Sequence, residues 1–141
     1  LSHISEHATS ESGVFLEPLN RYETNLCNTL EDGIEIIKKV GNQHLSLLAD
    51  LFHMNIEEEE IGASLGAAGH YIGHLHFVDS NRRPAGCGHL SYAPIAAALR
   101  TIRYSGWVSA EAFPYPDSTE AAYQTINAYR TYLEEKTHEG N

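Results

Sequence analysis

Two glutamates, an aspartate and a histidine (Glu17, Asp50, His76 and Glu111) stand near the ends of four apolar segments, at intervals of 33, 26 and 35 residues. Each interval is about the length of one strand–helix unit. A ligand-type side chain at the end of an apolar strand is costly to bury unless it is paired or binds something. Four in succession form a set of three hard carboxylate donors and one imidazole. Such a set suits Mn²⁺, Mg²⁺ or Co²⁺ better than a structural zinc, which favours Cys and His. Four separately hydrogen-bonded core polars would give the same spacing, and spacing alone leaves that alternative open.

The segments that must position these residues alternate strand with helix. Residues 14–19 (VFLEPL), 44–49 (HLSLLA), 71–78 (YIGHLHFV) and 107–110 (WVSA) read as strands. Thr29 and Asp32 form a helix-start box, followed by Ile34, Ile36, Ile37 and Val40, with Gly41 as the stop. A second helix is expected over 57–68, its four leading Glu favourable at the positive end of the dipole. A Gly- and Pro-bearing loop, 79–91, leads to an Ala-rich helix over 92–103. Ser118 opens a last helix with a stripe of Ala122, Ile126, Tyr129 and Leu133. This alternation predicts an α/β fold with a parallel sheet and crossover helices. A doubly wound sheet and a β/α barrel both satisfy it, and in both the active site gathers at the strand C-termini. Strand parity places Phe15, Leu48, Ile72 and Trp107 on the faces of the four candidate ligands, with Trp107 filling an interior.

Composition narrows the functional classes. Hydrophobic residues make up 42% of the 141, as in a soluble domain, and the formal charge of -10 disfavours nucleic acid as a partner. No apolar run approaches the ~20 residues of a membrane span. Neither a signal peptide nor a nucleotide-binding glycine loop is visible, and a cytoplasmic location is the expectation. Cys27 and Cys87 read as two buried, reduced thiols. The acidic run 57–60 reads as a solvated helix start. Among the nine histidines, His74 shares the strand face of His76 and reads as a supporting residue rather than a fifth ligand. His89 either lines the site's mouth or is exposed, Tyr22 either packs or touches substrate, and His3, His7 and His138 read as surface.

The segments Glu17-Pro-Leu-Asn-Arg-Tyr-Glu23, Asp50-Leu-Phe-His53, His74-Leu-His76-Phe-Val-Asp79-Ser-Asn-Arg82 and Gly86-Cys-Gly-His-Leu together resemble the ketose 3-epimerase branch of the xylose-isomerase-like barrels. The resemblance runs from about residue 14 to residue 113. It implies an eight-stranded β/α barrel of which this chain is the C-terminal half, four βα units forming one half-barrel domain over 1–141. Residues 1–12 would be the tail of a preceding helix and 136–141 a C-terminal tail. It also implies one divalent metal ion, Mn²⁺ before Mg²⁺ or Co²⁺, held by Glu17, Asp50, His76 and Glu111. Glu17 and Glu111 would be the acid/base pair on opposite faces of a sugar, epimerising C3 of a ketose through a metal-bound enediolate. Glu23, His53 and Arg82 would contact the sugar, with Arg82 and His53 stabilising developing negative charge.

The same residues admit two other readings. Hydroxypyruvate or aldose–ketose isomerisation would use the same carboxylates, although Asp79-Ser-Asn-Arg82 favours the epimerases. A related fold acting on abasic DNA is disfavoured by the charge. From a different class, the chain could be a catalytically silent metal- or sugar-binding half-barrel. A whole barrel needs about 250 residues, so the expected partners are a small-molecule sugar and either a second copy of the chain or a separate N-terminal half.

Overall fold

A computed structural model describes residues 12–134. The chain is a sequence of βα units. Strands β1 (Val14–Leu16), β2 (Leu45–Asp50), β3 (Ile72–His76) and β4 (Trp107–Ser109) alternate with helices α1 (Leu30–Val40), α2 (Leu51–Glu57), α3 (Ile61–Ala68), α4 (Tyr92–Thr101) and α5 (Ser118–Tyr132). The sheet order is β1-β2-β3-β4 and every pairing is parallel. The strand–helix alternation predicts the parallel sheet with crossover helices, and the strictly sequential strand order is the half-barrel arrangement that the family resemblance implies.

One face of the sheet is buried. Leu45, Leu47 and Ala49 of β2, and Ile72 and Leu75 of β3, form a core with Leu30, Ile37, Leu65, Ile95 and Leu99 from the helices. Helix α1 has the caps its sequence predicts. The Thr29 side chain accepts from the backbone N–H of Asp32, the Asp32 carboxylate accepts from that of Thr29, and Gly41 closes the helix with a left-handed φ of 71°.

The helix expected over 57–68 is instead two. Asp50 ends β2 and at once caps α2, accepting from the N–H groups of Phe52 and His53, so helix begins directly at the strand end. Glu57 ends α2 and Glu60 caps α3 by accepting from Gly62 and Ala63. The acidic run therefore lies at a break between helices and is not simply solvated. Glu57 pairs with Arg21 at 3.0 Å, and Glu58 accepts from Leu30 N–H and Ser64 Oγ.

Parity also fails in β3. Leu47 pairs with Ile72 but Leu48 pairs with His74, so Gly73 is an extra residue at a register shift. Ile72 thus joins the helix-facing core, not the ligand face. Gly73 lies on the other side, where an added Cβ would stand 2.6 Å from the Phe15 ring. That other side is largely uncovered. Trp107, expected to fill an interior, is 77% exposed, and Phe15 is 41% exposed. Both belong to the face that a complete barrel would enclose. Cys27 is buried, its thiol pushed up to about 11 by burial, whereas Cys87 is only half-buried. Of the expected terminal tails, residues 1–11 and 136–141 lie outside the described residues, as do His3, His7 and His138.

Candidate metal centre

All four residues singled out by spacing meet at the C-terminal edge of the sheet. Asp50 and His76 are the last residues of β2 and β3, Glu17 follows β1, and Glu111 follows β4 by two residues. One donor atom from each can be chosen so that all lie within 4.8 Å of one another. His76 Nδ1 is 2.9 Å from Asp50 Oδ2, 3.7 Å from Glu17 Oε1 and 4.0 Å from Glu111 Oε2. With metal–ligand bonds of about 2.0–2.2 Å, ligand atoms around one ion stand roughly 3–4.4 Å apart. The three distances from His76 match that range, and a small inward shift of the widest pair, at most 4.8 Å apart, lets the donor set hold a single divalent ion. A second observation agrees: Glu17 Oε1 is buried and has no hydrogen-bond partner among the described residues, a condition that a bound cation relieves.

The local chain explains how each ligand is held. Asp50 divides its oxygens, Oδ1 capping α2 at 2.8 Å from Phe52 N and Oδ2 facing His76. Burial is the main force raising the Glu17 pKa, with the negative charges of Asp50 and Glu111 adding to it and His76 and Arg82 opposing. His76 is raised chiefly by its hydrogen bond to Asp50. The Glu111 carboxylate is more exposed and receives Arg82 Nη2 at 2.7 Å.

The three residues expected to contact a substrate ring the same point. Arg82 also donates to Glu23 Oε1 at 3.3 Å and lies over the Phe52 ring. His53 is almost fully buried, and its Nε2 is 3.9 Å from Glu17 Oε1 with no hydrogen-bond partner. Burial is the main force lowering its pKa. His74 stays outside the ligand set, bonding Ser109 Oγ at 2.7 Å and meeting the His76 ring edge-on. Tyr22 is exposed, as is His89, whose Nδ1 is 3.0 Å from Ser80 Oγ.

Two supporting residues escaped the sequence reading. Asn20 is buried and joins Glu23 to His53. Asp79 is fully buried and ties down the loop carrying Arg82, accepting from Ser80 N, Gly86 N, Leu90 N and Tyr92 Oη. Arg82 has a positive φ of 59°, a conformation that costs a non-glycine residue about 1 kcal/mol. Its carbonyl accepts from Phe113 N and its N–H reaches Asp79 O. Both Asn20 and Asp79 stand inside the motifs quoted above. Their signal was a polar residue amid charged ones that had already been assigned roles.

The sequence profile of the xylose isomerase-like TIM barrels matches residues 1–132. The chain belongs to that family. Within it, the D-psicose 3-epimerase of Ruminiclostridium cellulolyticum is 43% identical over 98 residues, 70% of this chain and 33% of its own. The L-ribulose 3-epimerase of Methylomonas sp. is 35% identical over 114 residues, 80% of this chain and 40% of its own. A crystal structure of D-psicose 3-epimerase in the presence of D-fructose matches with a TM-score of 0.85 at 30% identity, over 94% of this chain and 53% of that one. The chain thus spans about a third to a half of the length of these xylose isomerase-like barrels.

Proposed function

We propose that this chain supplies the metal-binding and proton-transferring half of a ketose 3-epimerase. The observation that carries the reading is the convergence of Glu17, Asp50, His76 and Glu111 on one point, in a chain similar to D-psicose and L-ribulose 3-epimerases. Asp50 and His76 serve as ligands only, while Glu17 and Glu111 are ligands that also reach the sugar. A divalent ion, Mn²⁺ in our reading, would act there as a Lewis acid on the ketose carbonyl and its neighbouring hydroxyl.

The residues of the chain do the rest. One of the two glutamates removes the proton from C3 and the other returns one on the opposite face, inverting the centre. Their surroundings differ as such a pair requires: Glu17 is half-buried, whereas Glu111 is exposed and held by Arg82. Arg82 and the N–H of His53 face the region where negative charge develops on the sugar oxygens. Glu23, fixed by Arg82 and Asn20, accepts from a hydroxyl.

The sugar pocket closes when the exposed inner face, with Phe15 and Trp107, meets four more strands. A second copy or an N-terminal half-barrel would provide them. The two free cysteines suit a reducing, cytoplasmic setting.

The test is product formation. The associated chain, loaded with Mn²⁺ and given D-fructose or L-ribulose, should yield the C3 epimer on chromatography. A chain that is associated and metal-loaded but gives no C3 epimer from any ketose, while interconverting an aldose and a ketose or doing nothing, contradicts the reading.

A further inference from the structure

The His53 ring has two nitrogens with opposite surroundings. Nδ1 faces Asn20 twice, at 3.2 Å from the backbone N and at 2.8 Å from Nδ2. The orientation of the Asn20 amide follows from its other partners. Oδ1 accepts from Tyr22 N at 3.0 Å, and Nδ2 donates to the Glu23 carboxylate at 2.9 Å. A flipped amide would set N–H against N–H at Tyr22 and oxygen against carboxylate at Glu23. Nδ1 therefore receives two N–H donors and must offer its lone pair to them. A proton on Nδ1 would oppose both. The ring proton then resides on Nε2, the buried atom with no partner that lies 3.9 Å from the equally unpartnered Glu17 Oε1.

We propose that Asn20 is a positioning residue that holds His53 in the Nε2–H tautomer, presenting a neutral hydrogen-bond donor to a ligand oxygen beside Glu17. The buried Nε2 donor lies too far from Glu17 to bond it, leaving a place for an oxygen that accepts from it. The same amide holds Glu23, so one buried side chain sets the direction of two groups facing the sugar. The backbone supports it: Asn20 O accepts from Glu23 N and Thr24 N, fixing the turn that brings the amide under His53. His53 so held is a neutral hydrogen-bond donor with no free lone pair toward the sugar, so it cannot be the base at C3, a role the proposed function gives to a glutamate. The inference deepens the epimerase reading and rests on it for the identity of the ligand oxygen.

Histidine-selective ¹⁵N labelling of the 141-residue chain, followed by two-bond ¹H–¹⁵N correlation at neutral pH, distinguishes a lone-pair Nδ1 from a protonated one. His53 is assigned from the signal that disappears in His53→Gln. The expected spectrum shows His53 as a single species with the proton on Nε2. In Asn20→Asp, a carboxylate oxygen replaces the amide donor in the same shape, and Nδ1 should become protonated. The variant should also lose on the order of 10–100-fold in sugar turnover, the scale of effect of outer partners on a site. A protonated Nδ1 or a tautomer mixture in the wild type overturns the proposal, as does an unchanged His53 signal in folded Asn20→Asp. If that variant does not fold, the wild-type spectrum decides alone. The spectra need neither metal nor sugar, so failure of the epimerase reading and failure of this one are separately visible.

Discussion

His76 and Asp50 share a 2.9 Å contact that a metal ion would replace with two coordinate bonds. The proton on His76 and the ion therefore compete for Nδ1. The hydrogen bond to Asp50 holds the His76 pKa above its ordinary value near 6.5, with burial opposing. The sign follows: Mn²⁺ binding should be strongest above that raised value and weaken as pH falls through it, which calorimetry at successive pH values will show. His76→Ala and Asp50→Ala each remove a ligand, so each should weaken Mn²⁺ by more than the roughly 10–100-fold that outer partners typically cost. The candidate ligands were legible in the sequence because each stands at or just after a strand end, where a ligand-type side chain is costly to bury unless it is paired or binds something. Asn20 was not, because a neutral amide within a charged motif reads equally well as a turn residue.

Helix α1 was predicted almost to its ends because capping chemistry is local. Thr29 and Asp32 satisfy each other's backbone, and Gly41 adopts a conformation that favours glycine. Thr29→Ala should cost about 1 kcal/mol in denaturant unfolding. Backbone hydrogen bonding, chiefly from Thr29, holds the Asp32 pKa below the usual carboxylate value. Its contribution should therefore be complete above the unfolded-state pKa and fade as pH drops through the lowered one. The break between α2 and α3 was illegible for the opposite reason. Four consecutive Glu favour a helix start, and nothing local reveals that Asp50 already caps a helix seven residues earlier. The shift at Gly73 likewise depends on the neighbouring strand, and it is why Ile72 faces the helices. Tertiary context also decides the loop of Arg82. Burial works against the charge of Asp79, yet hydrogen bonds from Leu90, Ser80, Gly88 and Tyr92 lower its pKa overall. Asp79→Ala strands those donors and should destabilise the chain by roughly 3 kcal/mol, read by thermal or chemical unfolding, while releasing Arg82 from Glu111.

Among the described residues the molecule presents a sheet with helices on one side and two parallel edges, β1 and β4, without neighbours. The alternation of elements predicted the parallel sheet with crossover helices and the family resemblance the half-barrel, while strand parity placed Phe15 and Trp107 on the face that stays open and misplaced Ile72. Unpaired edges and an exposed aromatic face favour association. Light scattering at micromolar concentration should report a dimer or larger species. Trp107 is the single tryptophan and lies on the open face, so its emission should shift to shorter wavelength as concentration rises and the face is covered. A monomer with unshifted Trp107 emission would show that the half-barrel stands alone. The proposed transfer of a proton at C3 of a ketose by Glu17 and Glu111 is read by isotope exchange. The associated, Mn²⁺-loaded chain in deuterated water should introduce deuterium at C3 of the sugar. Glu17→Gln and Glu111→Gln, with the protein still folded, should each slow that labelling by at least 10²-fold. Undiminished labelling in either variant, or none at C3 in the wild type, would contradict the account.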